Sequence, residues 1–313
     1  MNWKIKALIQ KILSTTKLGD SLNHIPATLN KKYHYNVTFY QAHECIRKFS
    51  YCNIDVSTKK TALEIGTGYS LISAIILSII GFQKIITIDI TKDIRFSSYK
   101  KQVHYLDHPE ILKSIHSVSI FTEQEIISKI NEIQKTKTLD SLFKLLNIKY
   151  IAPYTFSEVL TYAKEFDYIS SQVVLEHVSP EILNDLFQFT KKTIHKDQFC
   201  VHTINFIDHF ANPGFFQDKS ISEFNFLKYS DKYWKYWAGN SIAYTNRLSY
   251  LYYLELCKKF DLKIVDFIGD NYRITKKINH KSIHKDILKK YNPNINIEDL
   301  TKYQRGTLII SNP

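Results

Sequence analysis

The chain has 313 residues, 44% of them hydrophobic and 14% aromatic, which is enough apolar content to bury a core and excludes an intrinsically disordered protein. Its net charge of +12 sits in the flanks: residues 1–60 carry ten Lys and Arg against three acids and residues 271–313 carry nine against three, while the middle is nearly neutral. Four scattered cysteines with no CxxC, and no apolar run of about 20 residues, exclude a disulfide scaffold, a zinc ribbon and a membrane-spanning helix.

Basic flanks suit an anionic substrate, a membrane surface or nucleic acid. Only five of the 42 basic residues are Arg, the preferred base reader and phosphate fork, which argues against dedicated nucleic-acid binding. Lys4, Lys6 and Lys11 interrupt any signal-peptide core, so the expected location is cytoplasmic. Residues 1–13 carry Ile5, Leu8, Ile9, Ile12 and Leu13 at helical spacing beside Trp3. Such a basic amphipathic helix either packs on its own domain or touches the inner membrane face peripherally. A second helix is expected over Thr38–Phe49 and a polar linker over 53–60, so residues 1–60 read as an N-terminal helical cap. These helices have to cover something, and a cleft beside the first strand is the natural place.

From Thr61 to Asp89 the chain reads TALEIGTGYSLISAIILSIIGFQKIITID: a buried strand, the turn Gly66-Thr67-Gly68, an apolar helix over 71–80, Gly81 as its stop, and a second strand ending in Asp89. This is one βαβ half of a nucleotide-type site, with a carboxylate about 20 residues past the glycines to meet a ribose diol. Leu71 takes the place of a third glycine, so a pyrophosphate would approach poorly, and Glu64 suggests a ligand carrying a cation.

The stretch LEIGTGYS resembles the first motif of class I S-adenosylmethionine-dependent methyltransferases, whose ligand has a ribose, an adenine and a methionine part but no phosphate. About a hundred residues on, FDYISSQVVLEHV (166–178) resembles the fourth motif of the same family. The resemblance implies S-adenosyl-L-methionine as cofactor, held by Glu64, Gly66, Thr67, Gly68, Asp89, Ile90, Tyr154, Ser170 and Ser171. It also implies a Rossmann-like α/β fold with a seven-stranded, mostly parallel sheet, N-terminal helices and helical insertions. Some relatives bind a divalent metal through an ExxEH pattern at this point. Here Val173 stands where the first Glu would be, so no metal is expected, and Glu176 and His177 instead orient a loop, cap the next helix or, for His177, touch substrate.

Helices are expected over 107–117, 122–133 (Thr122 and Glu125 forming a capping box) and 139–146, an elaboration spanning about 93–147. Tyr150 to Pro153 reads as a third strand, and Ser179-Pro180 opens a helix with the stripe Ile182, Leu183, Leu186 and Phe187. A fifth strand over 199–204 carries His202 and leads into Asp208, His209 and the turn Asn212-Pro213-Gly214. Methyl transfer to a hydroxyl is an in-line displacement in which the hydroxyl loses a proton, so His209, His202 and Asp208 are the candidate catalytic residues, His209 first as base. Residues 208–247 form a substrate-side insertion whose aromatic stretch, 224–237, either stacks on sugar rings or bases or forms a lid core. Arg247 is a candidate clamp for an anionic group on the acceptor. A helix over 250–260, a strand over 262–268, a basic helix over 276–291 and a closing strand over 307–310 complete the chain.

The stretch FIDHF with YTNRL is similar to a group of bacterial methyltransferases often encoded with polysaccharide genes. The reading is S-adenosylmethionine-dependent methyl transfer to a small-molecule or glycan-like acceptor, at oxygen with a histidine base, from a methyltransferase domain over 61–313. The alternatives are an RNA methyltransferase using the basic flanks and a catalytically silent S-adenosylmethionine-binding regulatory partner.

Overall fold

The β1 strand (Thr61–Ile65) has β2 (Lys84–Ile88) on one side and β4 (Tyr168–Gln172) on the other, both parallel to it. With β3 (Ile148–Ile151), β5 (Phe199–Asn205), β6 (Lys263–Asp270) and β7 (Arg305–Ser311) they form a seven-stranded sheet in the order β3-β2-β1-β4-β5-β7-β6. The first five strands are parallel, and β7 runs antiparallel between β5 and β6. This computed structural model describes residues 1–16, 32–211, 216–272 and 276–313. The expected turn Asn212-Pro213-Gly214 lies outside them.

The mostly parallel seven-stranded sheet is the architecture that the two sequence motifs imply. Buried on both faces, its central strands read as near-continuous apolar runs, ALEI and IITI. The chain leaves β1 toward β2 and later returns to β4 on the opposite side, which opens a crevice at the carboxyl ends of these strands. Register sets the level of that crevice: Ile65 pairs with Ile88 and with Ser171, and Ser171 pairs with His202.

Helix α1 spans Trp3–Leu13, α2 Tyr33–Ser50 and α3 Ile72–Ile80. The crossover carries α4 (Phe96–Val103), α5 (Pro109–His116), α6 (Glu123–Lys135) and α7 (Leu139–Leu145). Thr122 and Glu125 form the expected capping box at α6, whereas α4 was not foreseen because its sequence, FSSYKKQV, is short and weakly apolar. One face of the sheet packs α2 to α7 around the apolar α3, nearly all of whose residues are buried. The other face carries α8 (Phe156–Tyr162), α9 (Pro180–Thr193) and α11 (Tyr250–Lys259), with Leu183, Leu186, Phe187 and Tyr253 in its core. Ile182 of the expected α9 stripe is exposed instead.

A third core joins α1 to α10 (Asp231–Ala238) and its neighbours: Trp3 lies among Phe210, Tyr229 and Trp234 at ring separations of 5.3–5.7 Å. Burying a side chain of this size contributes roughly 3 kcal/mol. The aromatic 224–237 stretch therefore supplies core as well as surface. In α1 the buried residues are Trp3 and Ala7, while Ile5, Leu8, Ile9 and Ile12 are 43–60% exposed. The apolar stripe read from the sequence thus faces solvent, because the indole sets the packing side. The basic segment after 276 forms a 3-10 turn, His280–Ser282, and a one-turn α-helix, Lys285–Leu288, rather than one continuous helix over 276–291. Among the described residues no helix is long and apolar enough to cross a membrane.

Candidate functional site

The glycine turn is tied to the end of β2. Gly66 N–H donates to the Ile88 carbonyl at 2.9 Å, and the Thr67 hydroxyl pairs with that of Thr87 at 2.5 Å. Both glycines have positive φ, +81° at Gly66 and +56° at Gly68. A Cβ on Gly66 would overlap the Val174 side chain, whereas a Cβ on Gly68 would meet nothing. Gly68 therefore offers an open backbone approach, and Gly66 is packed by the loop that follows β4.

Asp89 follows β2 and holds this turn. Its carboxylate accepts from Gly68 N at 2.6 Å and from Ile90 N at 2.7 Å, and burial pushes its pKa upward against these bonds. Tyr154 N–H donates to the Asp89 carbonyl at 3.2 Å, which brings the half-buried Tyr154 beside the acid, and Ile90 is 71% exposed at the rim. Glu64 lies wholly inside. It accepts from the Ser170 hydroxyl across the β1–β4 pair; burial raises its pKa, and the buried Lys48 ammonium opposes that rise. Glu64 thus already has an internal cation, which departs from the expectation that its charge awaits a ligand.

Lys48 comes from α2, and so does most of the cover over these strand ends. Gln172 on β4 donates to the Tyr40 hydroxyl at 2.8 Å and to Glu44 at 3.1 Å, and Arg47 reaches Thr203 and Thr307 at 3.3 and 3.2 Å. Gln41, Glu64, Gly66, Thr67, Ser70, Ser73 and Gln172 line a polar cavity of about 20 Å³ beneath this cover. That is room for about one water. Helix α2 was foreseen as a cleft cover, but Tyr40, Gln41, Glu44 and Lys48 were not singled out. A lysine in mid-helix beside apolar neighbours was the one available signal.

Of the three candidate catalytic residues, two are fully buried and His209 is half-buried. His202 is 1% exposed on β5, with Nδ1 on the Ser171 hydroxyl at 2.8 Å and Nε2 on Cys200 Sγ at 2.9 Å. Burial lowers its pKa to about 3. A ring enclosed in this way does not meet an acceptor, which corrects its assignment as an acid–base group. Ser171 accordingly spends its hydroxyl on His202. Asp208 is also fully buried: its amide donates to the Glu223 carbonyl at 2.7 Å, and its carboxylate accepts from Phe210 N and the Asn225 amide at 2.8 and 3.4 Å. Burial raises its pKa to about 7. Its bonds organise the 208–225 segment, and none of them orients His209.

Arg247 is corrected too. It is 3% exposed, donates to the carbonyls of Phe226 and Tyr229 at 2.9 and 2.7 Å, and pairs with Asp231, so its guanidinium braces the start of α10 rather than waiting for an acceptor. Beside it a cavity of about 490 Å³ opens between Glu181, Trp234, Tyr244, Thr245 and Lys290. This volume lies within the range of small-molecule sites.

His209, from the loop after β5, meets His177, from the turn after β4, with ring centroids 4.9 Å apart. Glu176 completes the group: ligating atoms of the three residues lie within 4.8 Å of one another. The loop holding Glu176 and His177 is strained and braced. Val173, which opens it, adopts φ +50°, a rare state for a β-branched residue. Asn246 fastens it through N–H to the Glu176 carbonyl at 2.8 Å and side-chain bonds to the Leu175 and Val178 carbonyls at 2.7 and 2.9 Å. The Tyr244 carbonyl faces His177 Nδ1 at 2.8 Å. Burial raises the Glu176 carboxyl to about 8. The same loop presents Val174 to Gly66, so the glycine turn and the Glu176–His177–His209 group are two ends of one contact.

These residues suit S-adenosylmethionine in kind. An open glycine at φ +56° admits a ligand to the backbone, an acid ends β2, and the polar lining carries no phosphate-binding Lys or Arg. The cavity of about 20 Å³ beneath α2 is far smaller than a ligand of that size.

No family model matches the chain, and no curated protein matches it. Among solved structures it is similar to a Listeria monocytogenes protein described as an S-adenosylmethionine-dependent methyltransferase, at 10% identity over 87% of this chain and 98% of that one, with a TM-score of 0.44. It is similar to a Leishmania major S-adenosylmethionine-dependent methyltransferase at 10% identity, 99% and 83% coverage and a TM-score of 0.43. Haemonchus contortus phosphoethanolamine N-methyltransferase 2, in complex with S-adenosyl-L-methionine, gives 13% identity and a TM-score of 0.44 over 91% of this chain and 58% of that one. Likenesses of this strength assign no activity.

Proposed function

We propose that the chain is an S-adenosylmethionine-dependent methyltransferase acting on a hydroxyl of a small-molecule or glycan-like acceptor. The observation that carries this is the contact between Val174 and Gly66, which sets the open glycine turn and Asp89 next to the Glu176–His177–His209 group at the carboxyl ends of the strands. When bound, S-adenosylmethionine supplies a methyl group activated on a sulfonium. Asp89 is the residue assigned to its ribose in this reading, exchanging the Gly68 and Ile90 amides for hydroxyl donors, with Ile90 and Tyr154 assigned to the base; the bonds of Asp89 to Gly68, Ile90 and Tyr154 support it. Ser170 and Lys48 keep Glu64 compensated beneath the turn. On the acceptor side this reading gives His209 the hydroxyl proton, supported by its position against the His177 ring. The cavity beside Trp234 and Tyr244 is the space proposed for the body of the acceptor.

Calorimetry with S-adenosylmethionine on wild type and Asp89→Asn tests the donor half. Binding at least tenfold weaker in the variant, about 1.4 kcal/mol, is expected, and equal binding overturns the ribose assignment. Mass spectrometry for a one-methyl gain across sugars, lipids and RNA then identifies the acceptor class.

A second reading concerns location. The exposed row Ile5, Leu8, Ile9 and Ile12, flanked by Lys4 and Lys11, suits an anionic membrane surface.

A further inference from the structure

We infer that Glu176, His177 and His209 bind a divalent transition-metal ion, and that this ion holds the acceptor's hydroxyl oxygen. The first half stands on the three side chains alone, and the second rests on the methyl-transfer reading above.

Glu176 is 3% exposed, and the groups that hydrogen-bond its carboxylate, its own amide and Asn205, are uncharged. A carboxylate buried in that condition is costly unless a cation compensates it. One of its oxygens and one ring nitrogen from each of His177 and His209 lie within 4.8 Å of one another, the clustering that an ion would bridge. The Tyr244 carbonyl opposite His177 Nδ1, at 2.8 Å, only accepts, so Nδ1 carries the proton and the Nε2 lone pair is left to ligate. That orienting bond is of the kind that metal-binding histidines make. Two imidazoles and one carboxylate suit Zn²⁺, Mn²⁺, Fe²⁺ or Co²⁺ over Mg²⁺ or Ca²⁺, and three protein ligands leave positions open for an outside oxygen.

The motif containing Glu176 and His177 has too few ligands by itself, because Val173 stands in place of an acid. The third ligand arrives from the loop after β5, more than thirty residues later in the chain, and only folding brings it there. This assignment replaces the base role proposed above for His209, which becomes a ligand of the ion, and keeps the methyl transfer to oxygen. The hydroxyl, acidified on the ion, gives its proton to water. Its oxygen pair forms the new O–CH₃ bond while the S–CH₃ pair returns to sulfur.

The test uses tag-free full-length protein stripped with a chelator and titrated calorimetrically with Zn²⁺, Mn²⁺, Co²⁺ and Mg²⁺, alongside visible spectra of the Co²⁺ form. One equivalent of Zn²⁺ or Co²⁺ per chain, with d–d absorption, is expected, and tenfold or greater weakening in Glu176→Gln and in His209→Ala. Circular dichroism of the metal-free variants separates ligand loss from unfolding, and the wild-type cobalt spectrum needs no variant. No stoichiometric binding, or binding unchanged in both folded variants, overturns the site. Ion binding without S-adenosylmethionine binding would instead overturn the methyl-transfer reading and leave the ion site standing.

Discussion

The Lys48 ammonium, on a side chain with no exposed surface, donates to the backbone carbonyl of Ser171 at 3.0 Å. It reaches there from α2 and lies close enough to lower the pKa of Glu64, a carboxylate inside the neighbouring strand. The helix that covers the crevice is thus pinned to the strand ends by charge as well as by apolar contact. Lys48→Met should cost about 2 kcal/mol or more, since it removes a charged hydrogen bond and leaves Glu64 buried without its cation. The folded pKa of Glu64 is raised, so the folded state holds its proton longer than the unfolded state does. The penalty is therefore smallest below about pH 4.5 and grows as pH rises through the folded value. Urea melts at pH 4.5 and pH 8 check this, and Lys48→Met/Glu64→Gln should recover much of the loss at pH 8.

His202 makes the opposite prediction. Its folded pKa is lowered from 6.5 to about 3, so it stays neutral while the unfolded chain takes up a proton. Its contribution to stability is complete above about pH 6.5 and is lost as pH falls toward 3. Between pH 7 and pH 4.5 this amounts to on the order of 3 kcal/mol. A His202→Gln variant lacks that term, so its stability should fall less steeply over the same interval. Parallel slopes for variant and wild type would show that His202 is not held neutral.

Gly66 joins backbone conformation to packing. Gly66→Ala adds a methyl group at φ +81° and drives it into Val174. A loss of about 2–3 kcal/mol and of cofactor binding is expected. Val174→Ala in the same chain should restore only the packing part, roughly half, because the strained φ remains. Thermal melts of the two single variants and the double variant measure the split, and full recovery would remove the conformational share.

At the N-terminus, Leu8→Asp/Ile9→Asp should leave the melting temperature nearly unchanged, since both side chains are about half exposed. If α1 lies on a membrane, the same pair should abolish co-sedimentation with vesicles containing anionic lipid. Wild type should lose it at high salt. Wild type that stays in the supernatant at low salt removes the membrane reading.

Much of the frame was legible because it is local. The strands around β1 and β2, the glycine turn, the Thr122–Glu125 box and the Ser179 cap each depend on residues within one or two turns of chain. Helix α1 was legible as a helix, but its inward side was not, since a hydrophobic stripe does not reveal which side a neighbouring indole will anchor. The basic segment after 276 carries helical spacing, yet only Lys285–Leu288 is α-helical, and the segment packs on the third core through Ile278, Ile283 and Ile287.

What the sequence determined by itself is the βαβ unit from Thr61 to Asp89 and the end of β4 at Ser170-Ser171. The tertiary structure alone decided which polar side chains there are enclosed and which are grouped. His202, Asp208 and His209 look alike in the sequence, three polar residues within eight positions. Register against Ser171 buries the first, the bonds to Phe210 and Asn225 bury the second, and only His209 reaches Glu176 and His177. The physical reason is that a side chain's ionisation and reach are set by what packs around it. Here many of those neighbours come from β4, from the 222–246 segment and from α2, all distant in the chain from the residues they govern.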